Sequence, residues 1–576
     1  MLNPNSINPS TGAASLFRYH SSVTVSQTRN LLNQTIRVSW KGLTPTPPGS
    51  LPYSQGTTPY PVVIAECRGT HPAHLTDCFG IANHDGTQGG ENQFGPYNDV
   101  WSTTTARGTG VADIPVLSEL QNQFLGCTPT RPCSLAVIPV QGGDILQSPF
   151  SCAKHLEDSI AGGNTSTSQI TFGSPRPGAP QCSWAKRIVV PLRFAPSSAN
   201  CKFSSPAFTV IGSPMAQREM DQWDTGLCEQ ASPLSISYSF SLPEPAAIAA
   251  VQSGGDDVAL TTRPAASLTG PHHKYAYAPV SVSAVSIPYW VDNANTGTQF
   301  THLKLDPRLV AKMLTTSYDL SAAACTPHRS KGCDPGIDGN PADIIVDREF
   351  TKLNPGIGID NTSLGSASIS SDVPIVQSGP SDMTYMVTRW IAANKPASSF
   401  LTGIPDQWGT RINSYYSNVK YPTDAFVPQD PSTVVQHAYS PVFPLALGVQ
   451  DMVNAWPPGT GFLQQFCGNG PKGYCRLSQE IPGTRVLFGV LDYADTTAFS
   501  VPSAAILNPA GRYVTPSQES MAAALNSMVD DGNKITQEVS TKSKNPREYP
   551  LTMVIYAMVP ISGVHQAKAD AIARWL

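Results

Sequence analysis

Two serines at predicted helix starts are the residues of this chain whose type and position best suit the binding of an anion. Ser213 stands between the apolar run FTVIG and the segment PMAQREMDQW, with Pro214 at the first helical position. Ser381 precedes DMTYMVTRWIAA in the same way. The first turn of a helix carries unpaired backbone N–H groups and a partial positive charge, and both attract anions. A serine at this position is also an ordinary helix cap, so capping without a ligand is the alternative.

Other side chains that bind metals or act in catalysis form no complete set. His71 and His74, and the neighbours His272 and His273, lack the further ligands that a metal site needs. The acidic segment CDPGIDGNPAD lacks the spacing of a calcium loop. The chain contains no G-x-S-x-G, H-E-x-x-H or phosphate-loop motif. We therefore expect neither an enzyme nor a metal or cofactor protein.

Length and charge limit the class of protein. At 576 residues the chain is long enough for two or three domains. Charged residues make up 14% of it, against about 25% in typical soluble proteins, and the net charge is −4. Lys and Arg are scattered without a block of like charge, so electrostatics provides no reason to expect a nucleic-acid partner.

The twelve cysteines indicate an oxidising compartment. No C-x-x-C occurs, which disfavours zinc. Neighbour pairing is the simplest of the connectivities that remain open, and it joins Cys67 to Cys78, Cys127 to Cys133, Cys152 to Cys182, Cys201 to Cys228, Cys325 to Cys333 and Cys467 to Cys475. We expect a secreted protein associated with the cell surface. Its anchor would lie outside this sequence, since the terminal HQAKADAIARWL ends without a helix stop and the gene is expected to extend beyond Leu576.

The chain changes character near residue 200. Short β-branched runs occur before this point, separated by Pro, Gly and Asn: HSSVTVSQ, QTIRVSWKG, YPVVIAE, CSLAVIPV and KRIVVPLRF. They predict an all-β domain at 1–200, with a β-sandwich as its architecture and long loops. From 201 to 576, strands alternate with helices, as in FTVIG followed by PMAQREMDQW, which predicts an α/β domain.

Four segments between Ile287 and Arg389 resemble the periplasmic phosphate-binding proteins of ABC transporters. In order they read IPYWVDN, LKLDPRLVAKMLTTSY, DREFTKLNPGI and VQSGPSDMTYMVTRW. The phrases NLLNQTIRVSWKGLTPT and CSWAKRIVVPLRFAP are similar to those of secreted actinobacterial proteins that add an N-terminal β-domain. The resemblance implies a type II periplasmic-binding fold. Lobe 1 would comprise about 205–285 plus 495–576, and lobe 2 about 286–494.

The resemblance also implies a ligand site between the lobes, formed by four loops. The first loop matches the family at Gly212 and Ser213, which head a helix. In the second, SLPEPA, Ser241 retains a hydroxyl, whereas Glu244 repels an anion. The family's second loop is instead a Gly-Ser-Gly turn.

The third and fourth loops depart further from the family. In DVALTTRP, Thr261 replaces a serine, Thr262 replaces the family's anion-binding Asp, and Arg263 adds a positive charge. In the fourth loop Ser381 and Thr384 keep hydroxyls. There, however, Asp382 replaces a glycine, Met383 a threonine and Gln377 an arginine. A carboxylate beside an anion seat disfavours phosphate, so we expect weak phosphate affinity and better binding of a solute that donates hydrogen bonds.

Two functions follow from these observations. The first is an extracytoplasmic solute-binding protein that holds a small polar ligand or an oxyanion between its lobes, with a membrane transporter as partner. The second is a structural or adhesive surface protein whose cleft has lost its ligand and which contacts other surface proteins, including copies of itself. Fold and function are separable, so the resemblance alone does not decide between them.

Overall fold

The structure is a computed structural model. It describes residues 3–7, 14–17, 21–46, 62–73, 77–78, 100–119, 122, 125–139, 187–196, 205–240, 242–269, 273–293, 299–319, 334–357, 374–377, 380–425, 440–442, 445–453, 485–531 and 534–576.

In chain order the strands are β1 (Asn3–Ile7), β2 (Ala14–Phe17), β3 (Ser22–Val25), β4 (Gln34–Lys41), β5 (Val62–Arg68), β6 (Val100–Ser102), β7 (Thr109–Val116), β8 (Cys133–Pro139), β9 (Ile188–Leu192), β10 (Phe208–Gly212), β11 (Ile236–Ser239), β12 (Val258–Thr261), β13 (Tyr275–Ser286), β14 (Tyr289–Val291), β15 (Lys304–Leu305), β16 (Ile375–Gln377), β17 (Ser440–Val442), β18 (Val486–Asp492), β19 (Ala505–Leu507), β20 (Tyr513–Val514), β21 (Met528–Asp530), β22 (Gln537–Val539) and β23 (Thr552–Pro560). The α-helices are α1 (Gln217–Cys228), α2 (Glu244–Gln252), α3 (Pro307–Leu314), α4 (Arg348–Leu353), α5 (Asp382–Ala393), α6 (Lys395–Leu401), α7 (Ser414–Ser417), α8 (Leu445–Val453), α9 (Tyr493–Ala498), α10 (Gln518–Leu525) and α11 (Gln566–Trp575). Short 3-10 turns occupy Pro214–Ala216, Pro335–Ile337 and Ile344–Val346.

The described residues between 21 and 196 form two antiparallel sheets. One has the order β3-β4-β7 and the other β6-β5-β8-β9. Strand β4 alternates as its sequence predicts, with Ile36, Val38 and Trp40 buried and Arg37 exposed. Buried side chains of both sheets, such as Val38 of β4 and Leu135 of β8, belong to one hydrophobic core.

A nine-stranded mixed sheet organises the rest of the chain. Its order is β11-β10-β12-β23-β13-β18-β16-β17, and β14 pairs with β18. Strands β11, β10 and β12 are parallel, whereas β23 runs antiparallel to β12 and β13. Strand β23 therefore returns the end of the chain to the sheet formed by 208–286, as the alternating pattern predicts. The long strand β13 passes from this half of the sheet to the half that contains β18, β16 and β17.

Helices cover this mixed sheet and bring the candidate site together. Helix α2 packs against β10 and β12, and α8 packs against β16 and β18. Helices α3, α5 and α6 pack on one another, and α5 also contacts β13. The start of α5 is thereby placed near the carboxyl end of β12. In the described part of the chain, no helix has the length and apolar character needed to cross a membrane.

Two of the predicted disulfides are present. Cys67 bonds to Cys78 with their Cα atoms 3.8 Å apart, and Cys127 bonds to Cys133 with theirs 5.7 Å apart. Cys228 is also disulfide-bonded. The predicted pairs Cys152–Cys182, Cys325–Cys333 and Cys467–Cys475, and the predicted partner Cys201, lie outside the described residues.

Candidate functional site

The loop after β10 depends on a glycine. Gly212 has φ +123°, and a Cβ atom there would lie 2.3 Å from the carbonyl oxygen of Leu260. This close approach lets the backbone N–H of Ser213 donate to the same oxygen at 2.9 Å. A larger residue at 212 would push the parallel strands β10 and β12 apart at the site.

Ser213 heads the 3-10 turn before α1, but it does not cap it. Its side chain makes no capping hydrogen bond, so the predicted capping role is wrong even though Pro214 does occupy the first helical position. The residue is fully buried, and its Oγ has no hydrogen-bond partner among the described residues. Its carbonyl oxygen accepts a hydrogen bond from the Tyr238 hydroxyl at 2.7 Å. The hydroxyl of Ser213 instead lies beside the buried carboxyl of Glu244 and lowers its pKa.

The loop after β12 directs its donors at the carboxylate of Asp382. Oδ2 of Asp382 accepts hydrogen bonds from the backbone N–H of Thr262 at 2.8 Å, from the Thr262 hydroxyl at 2.9 Å and from the backbone N–H of Arg263 at 3.3 Å. Oδ1 accepts from Nε of Arg263 at 2.6 Å. The Thr261 hydroxyl lies 3.0 Å from Oδ2 and 2.9 Å from the Arg263 carbonyl oxygen, and these two acceptors share its single proton. Donors of the kind that hold an oxyanion are therefore used by a carboxylate of the protein itself.

Arg263 makes further contacts with its other guanidinium atoms. Its Nη2 lies 3.2 Å from Oδ2 of Asp424, and its Cζ lies 4.3 Å from the ring centroid of Tyr385. Asp382 is almost completely buried, with 1% of its side chain exposed, whereas Arg263 is partly open at 28%. The guanidinium of Arg263 therefore joins the β12 loop to helix α5 and to the segment that contains Asp424.

Ser381 and Thr384 pair with each other at the start of α5. Oγ of Ser381 accepts from the backbone N–H of Thr384 at 3.1 Å and donates to its hydroxyl at 3.0 Å. This arrangement is a side-chain helix cap. Of the predicted site residues, Thr261 points to Asp382, whereas Ser381 and Thr384 point to each other.

Glu244 places a second carboxyl at the start of α5. It is fully buried, and its Oε2 accepts from the backbone N–H of Asp382 at 3.3 Å. Burial, and then the charge of Asp382, raise the pKa of Glu244 to about 8. Ser213 lies close enough to lower that pKa slightly, but Oε1 of Glu244 has no partner with hydrogen-bond geometry among the described residues.

Gln377, where the resembled family has an arginine, is a further buried polar side chain. It ends β16 four residues before Ser381 and is buried, and neither atom of its amide has a partner in the described part of the chain. Ser241, the predicted contributor of the second loop, lies outside the described residues.

Sequence reasoning identified the loops but missed the internal occupant. Asp382 was expected to oppose an anion, and the structure shows its carboxylate bound by the donors of the β12 loop. The sequence did contain a sign of this contact, because Asp382 stands at the first helical position, where the family that the chain resembles has glycine. Asp424 and Tyr385 carried no such signal, because their contact with Arg263 depends on the tertiary fold.

Comparisons with known proteins are distant. No family model matches the chain, and no curated protein matches it. An ABC-type phosphate transport receptor from Vibrio cholerae is 10% identical, with a TM-score of 0.29, over 64% of this chain and 93% of that one. The ancestral soluble variant of the human phosphate binding protein is 11% identical, with a TM-score of 0.33, over 64% of this chain and 84% of that one. Macromomycin is 20% identical, with a TM-score of 0.13, over 21% of this chain and 88% of its own. Likenesses at these TM-scores assign neither a function nor a ligand to this chain.

Proposed function

We propose that this protein is an extracytoplasmic solute-binding protein whose interlobe site accepts an uncharged, hydrogen-bond-donating solute and rejects free phosphate. One observation carries the proposal: the carboxylate of Asp382 is bound by the donors of the Thr261–Arg263 loop. The two lobes would be about 205–285 plus 495–576, and about 286–494. A β-sandwich domain would occupy 1–200.

Phosphate is excluded because the seat is already negatively charged. A phosphate at the β12 loop would have to displace Asp382, which is 1% exposed and would lose its partners. Two like charges in a buried site disfavour each other strongly, and the displaced carboxylate would remain buried without a partner.

A neutral solute matches the polar atoms that have no partner. Ser213 Oγ lies near the Glu244 carboxyl, and Ser213 Oγ, Glu244 Oε1 and the amide of Gln377 are buried without a hydrogen bond of good geometry among the described residues. Buried polar groups are usually hydrogen-bonded, so these atoms mark where a ligand would contribute bonds. Because Glu244 has a pKa of about 8, its carboxyl is largely protonated at pH 7 and can both donate and accept. A small polyol or sugar has the matching donors and acceptors. The Ser381–Thr384 pair would hold the helix start in place.

An extracytoplasmic location is supported by the disulfides. Cys67–Cys78 and Cys127–Cys133 are bonds that persist in oxidising compartments. A membrane transporter is the partner that a solute-binding protein would serve. Binding without catalysis is proposed, because Asp382 and Glu244 are used in holding the helix start and the β12 loop.

A structural or adhesive surface protein is the second candidate. It is favoured by the same salt bridge, since Arg263 joins both Asp382 and Asp424 without any ligand. In this case the cleft is closed permanently, and the protein contacts other surface proteins or copies of itself.

Calorimetric titration of the full chain with phosphate, sulfate and a panel of small sugars and polyols separates these functions. The proposal expects heat from at least one uncharged solute and none from the two anions at millimolar concentration. The Ser213→Ala variant removes a hydroxyl without disturbing a helix cap, and we expect it to bind the uncharged solute more weakly than the unmodified protein does. Binding of phosphate by the unmodified protein would overturn the proposal. If no solute produces binding heat, the structural or adhesive function is favoured.

A further inference from the structure

The two halves of the nine-stranded sheet are joined at a narrow junction. Strand β13 pairs with β23 along most of its length, but with β18 only at Val285 and Ser286, which face Asp492 and Leu491. The Ser286 hydroxyl reinforces this junction, since it lies 3.1 Å from the Leu491 carbonyl oxygen and 2.9 Å from Oγ1 of Thr496. Because this pairing connects the two halves within the sheet, a change in the angle between them would disturb it.

The N-terminal β-region is docked directly beside this junction. Thr35 in β4 donates its hydroxyl to the carbonyl oxygen of Phe499, which follows α9, at 2.7 Å. Helix α9 begins at the end of β18 and contacts β4. The carbonyl oxygen of Asn33 accepts a hydrogen bond from Nη2 of Arg218 in α1. The N-terminal region therefore bonds to an element on each side of the junction strands.

Arg218, which binds the N-terminal region through Asn33, also forms a salt bridge with buried Asp495 at the junction. Its Nε lies 2.6 Å from Oδ1 of Asp495, which is 3% exposed. Oδ2 of Asp492 accepts from the backbone N–H of Asp495 at 3.0 Å, so both carboxyls lie at the start of α9. The other acidic groups facing this cluster are Glu219 and Asp221, both on α1. Movement of α9 away from α1 would separate buried Asp495 from the guanidinium, which is costly.

We infer that the N-terminal β-region is a brace that restrains the angle between the two halves of the nine-stranded sheet, through Thr35 on α9 and Asn33 on α1. The inference goes beyond ligand binding and holds whether the cleft takes a solute or is permanently closed. A ligand or partner of the N-terminal region would, through the same contacts, alter how readily the cleft opens.

Hydrogen exchange of the full chain tests the brace, with the peptides that cover 285–292 and 485–499 as the readout. Thr35→Glu places a carboxylate against the carbonyl end of α9 and so undocks the brace without altering either half of the sheet. Thr24→Glu is the matched control, because Thr24 is an exposed residue of β3 in the same three-stranded sheet.

Thr35→Glu is expected to accelerate exchange at the junction by about tenfold, the scale of one lost hydrogen bond, while Thr24→Glu leaves it unchanged. Equal exchange in both variants, or acceleration confined to residues 22–41, would overturn the inference. If Thr35→Glu fails to fold, Thr35→Val removes only the hydroxyl and is expected to accelerate junction exchange about threefold. An unchanged junction in that variant would count equally against the brace.

Discussion

Nε of Arg263 and Oδ1 of Asp382 lie 2.6 Å apart and join a loop of the first half of the mixed sheet to a helix start of the second. A helix start facing a loop rich in donors is an arrangement that attracts anions. Here the anion is a side chain of the chain itself. The pair therefore links the proposed specificity to stability, because Asp382, which we propose excludes phosphate, also joins the two halves of the sheet.

Removing the cation of this pair should destabilise the protein strongly. Arg263→Ala leaves the buried Asp382 carboxylate without its main partner, and we expect a loss of about 3 kcal/mol in the free energy of unfolding. Arg37→Ala is the control, since the Arg37–Asp113 pair is exposed at 65% and 38% and should cost under about 1 kcal/mol. Urea denaturation measures both, and equal losses would show that the Arg263 pair does not hold the halves together.

Lys312 is a fully buried cation, and it provides an independent test of how much stability is lost when a buried carboxylate loses its partner. Nζ of Lys312 lies 2.7 Å from Asp347, 3.0 Å from Glu349 and 2.7 Å from Asp406, and its side chain is fully buried. Lys312→Met keeps the volume but leaves buried carboxylates unpaired, so we expect a loss of roughly 3–5 kcal/mol.

Lys568→Met is the control for Lys312→Met, because Lys568 pairs with Asp257 and is 40% exposed. Its expected loss is under about 1 kcal/mol. Thermal or urea unfolding compares the two, and a Lys312→Met variant as stable as the control would contradict the interpretation.

Glu66 should make the stability of the N-terminal region depend on pH. Burial raises the pKa of Glu66 to about 8, although Leu117 donates a backbone hydrogen bond to it at 2.9 Å. The folded protein keeps a proton that the unfolded chain releases near pH 4.5, so this contribution to stability falls as the pH rises from about 5 to 8.

Glu66→Gln cannot ionise and should flatten this decline, with a relative gain of up to roughly 4 kcal/mol at pH 8 and little at pH 5. Glu519→Gln, at an exposed position, is the control. Unfolding curves at pH 5, 6.5 and 8 measure the difference. A gain for Glu66→Gln that is the same at every pH would show that Glu66 is already ionised in the folded protein.

Residue pattern predicted the elements better than it predicted the contacts of the site. The alternation of Ile36, Val38 and Trp40 is local, so the exposed and buried faces of β4 followed from the sequence. The switch from strands to strand–helix alternation likewise predicted a sheet that includes β10, β12 and β23. These features depend on periodicity within a few residues.

The contacts of Asp382 could not be predicted in that way. They join residues about 120 positions apart, and whether a carboxylate repels an anion or replaces it depends on a rotamer. The capping bond expected for Ser213 is likewise absent, and its side chain acts on Glu244, 31 positions away, instead. The residue pattern therefore predicted where the loops of the site lie. Tertiary packing determined which side chain binds to the donors of each loop.

The remaining cysteines should pair with their sequence neighbours. Cys228 is bonded, and we expect its partner to be Cys201. Peptide mapping by mass spectrometry without reduction should recover the linked peptides of Cys152 with Cys182, Cys325 with Cys333 and Cys467 with Cys475. Free thiols in the native protein, or crossed pairs among these, would refute neighbour pairing.

Phosphate titration of Asp382→Gly tests most directly whether Asp382 takes the place of an anion. The variant frees the donors of Thr262 and Arg263, and burial still raises the pKa of Glu244 once the charge of Asp382 is gone, which limits repulsion of phosphate by Glu244. Asp382→Asn is the control, because its amide still fills the space. We predict phosphate binding too weak to detect at millimolar concentration in the unmodified protein and in Asp382→Asn, and binding at least about tenfold tighter by Asp382→Gly, the effect of regaining one charge-assisted hydrogen bond. Phosphate affinity that is the same in all three proteins, or highest in the unmodified one, would contradict the account.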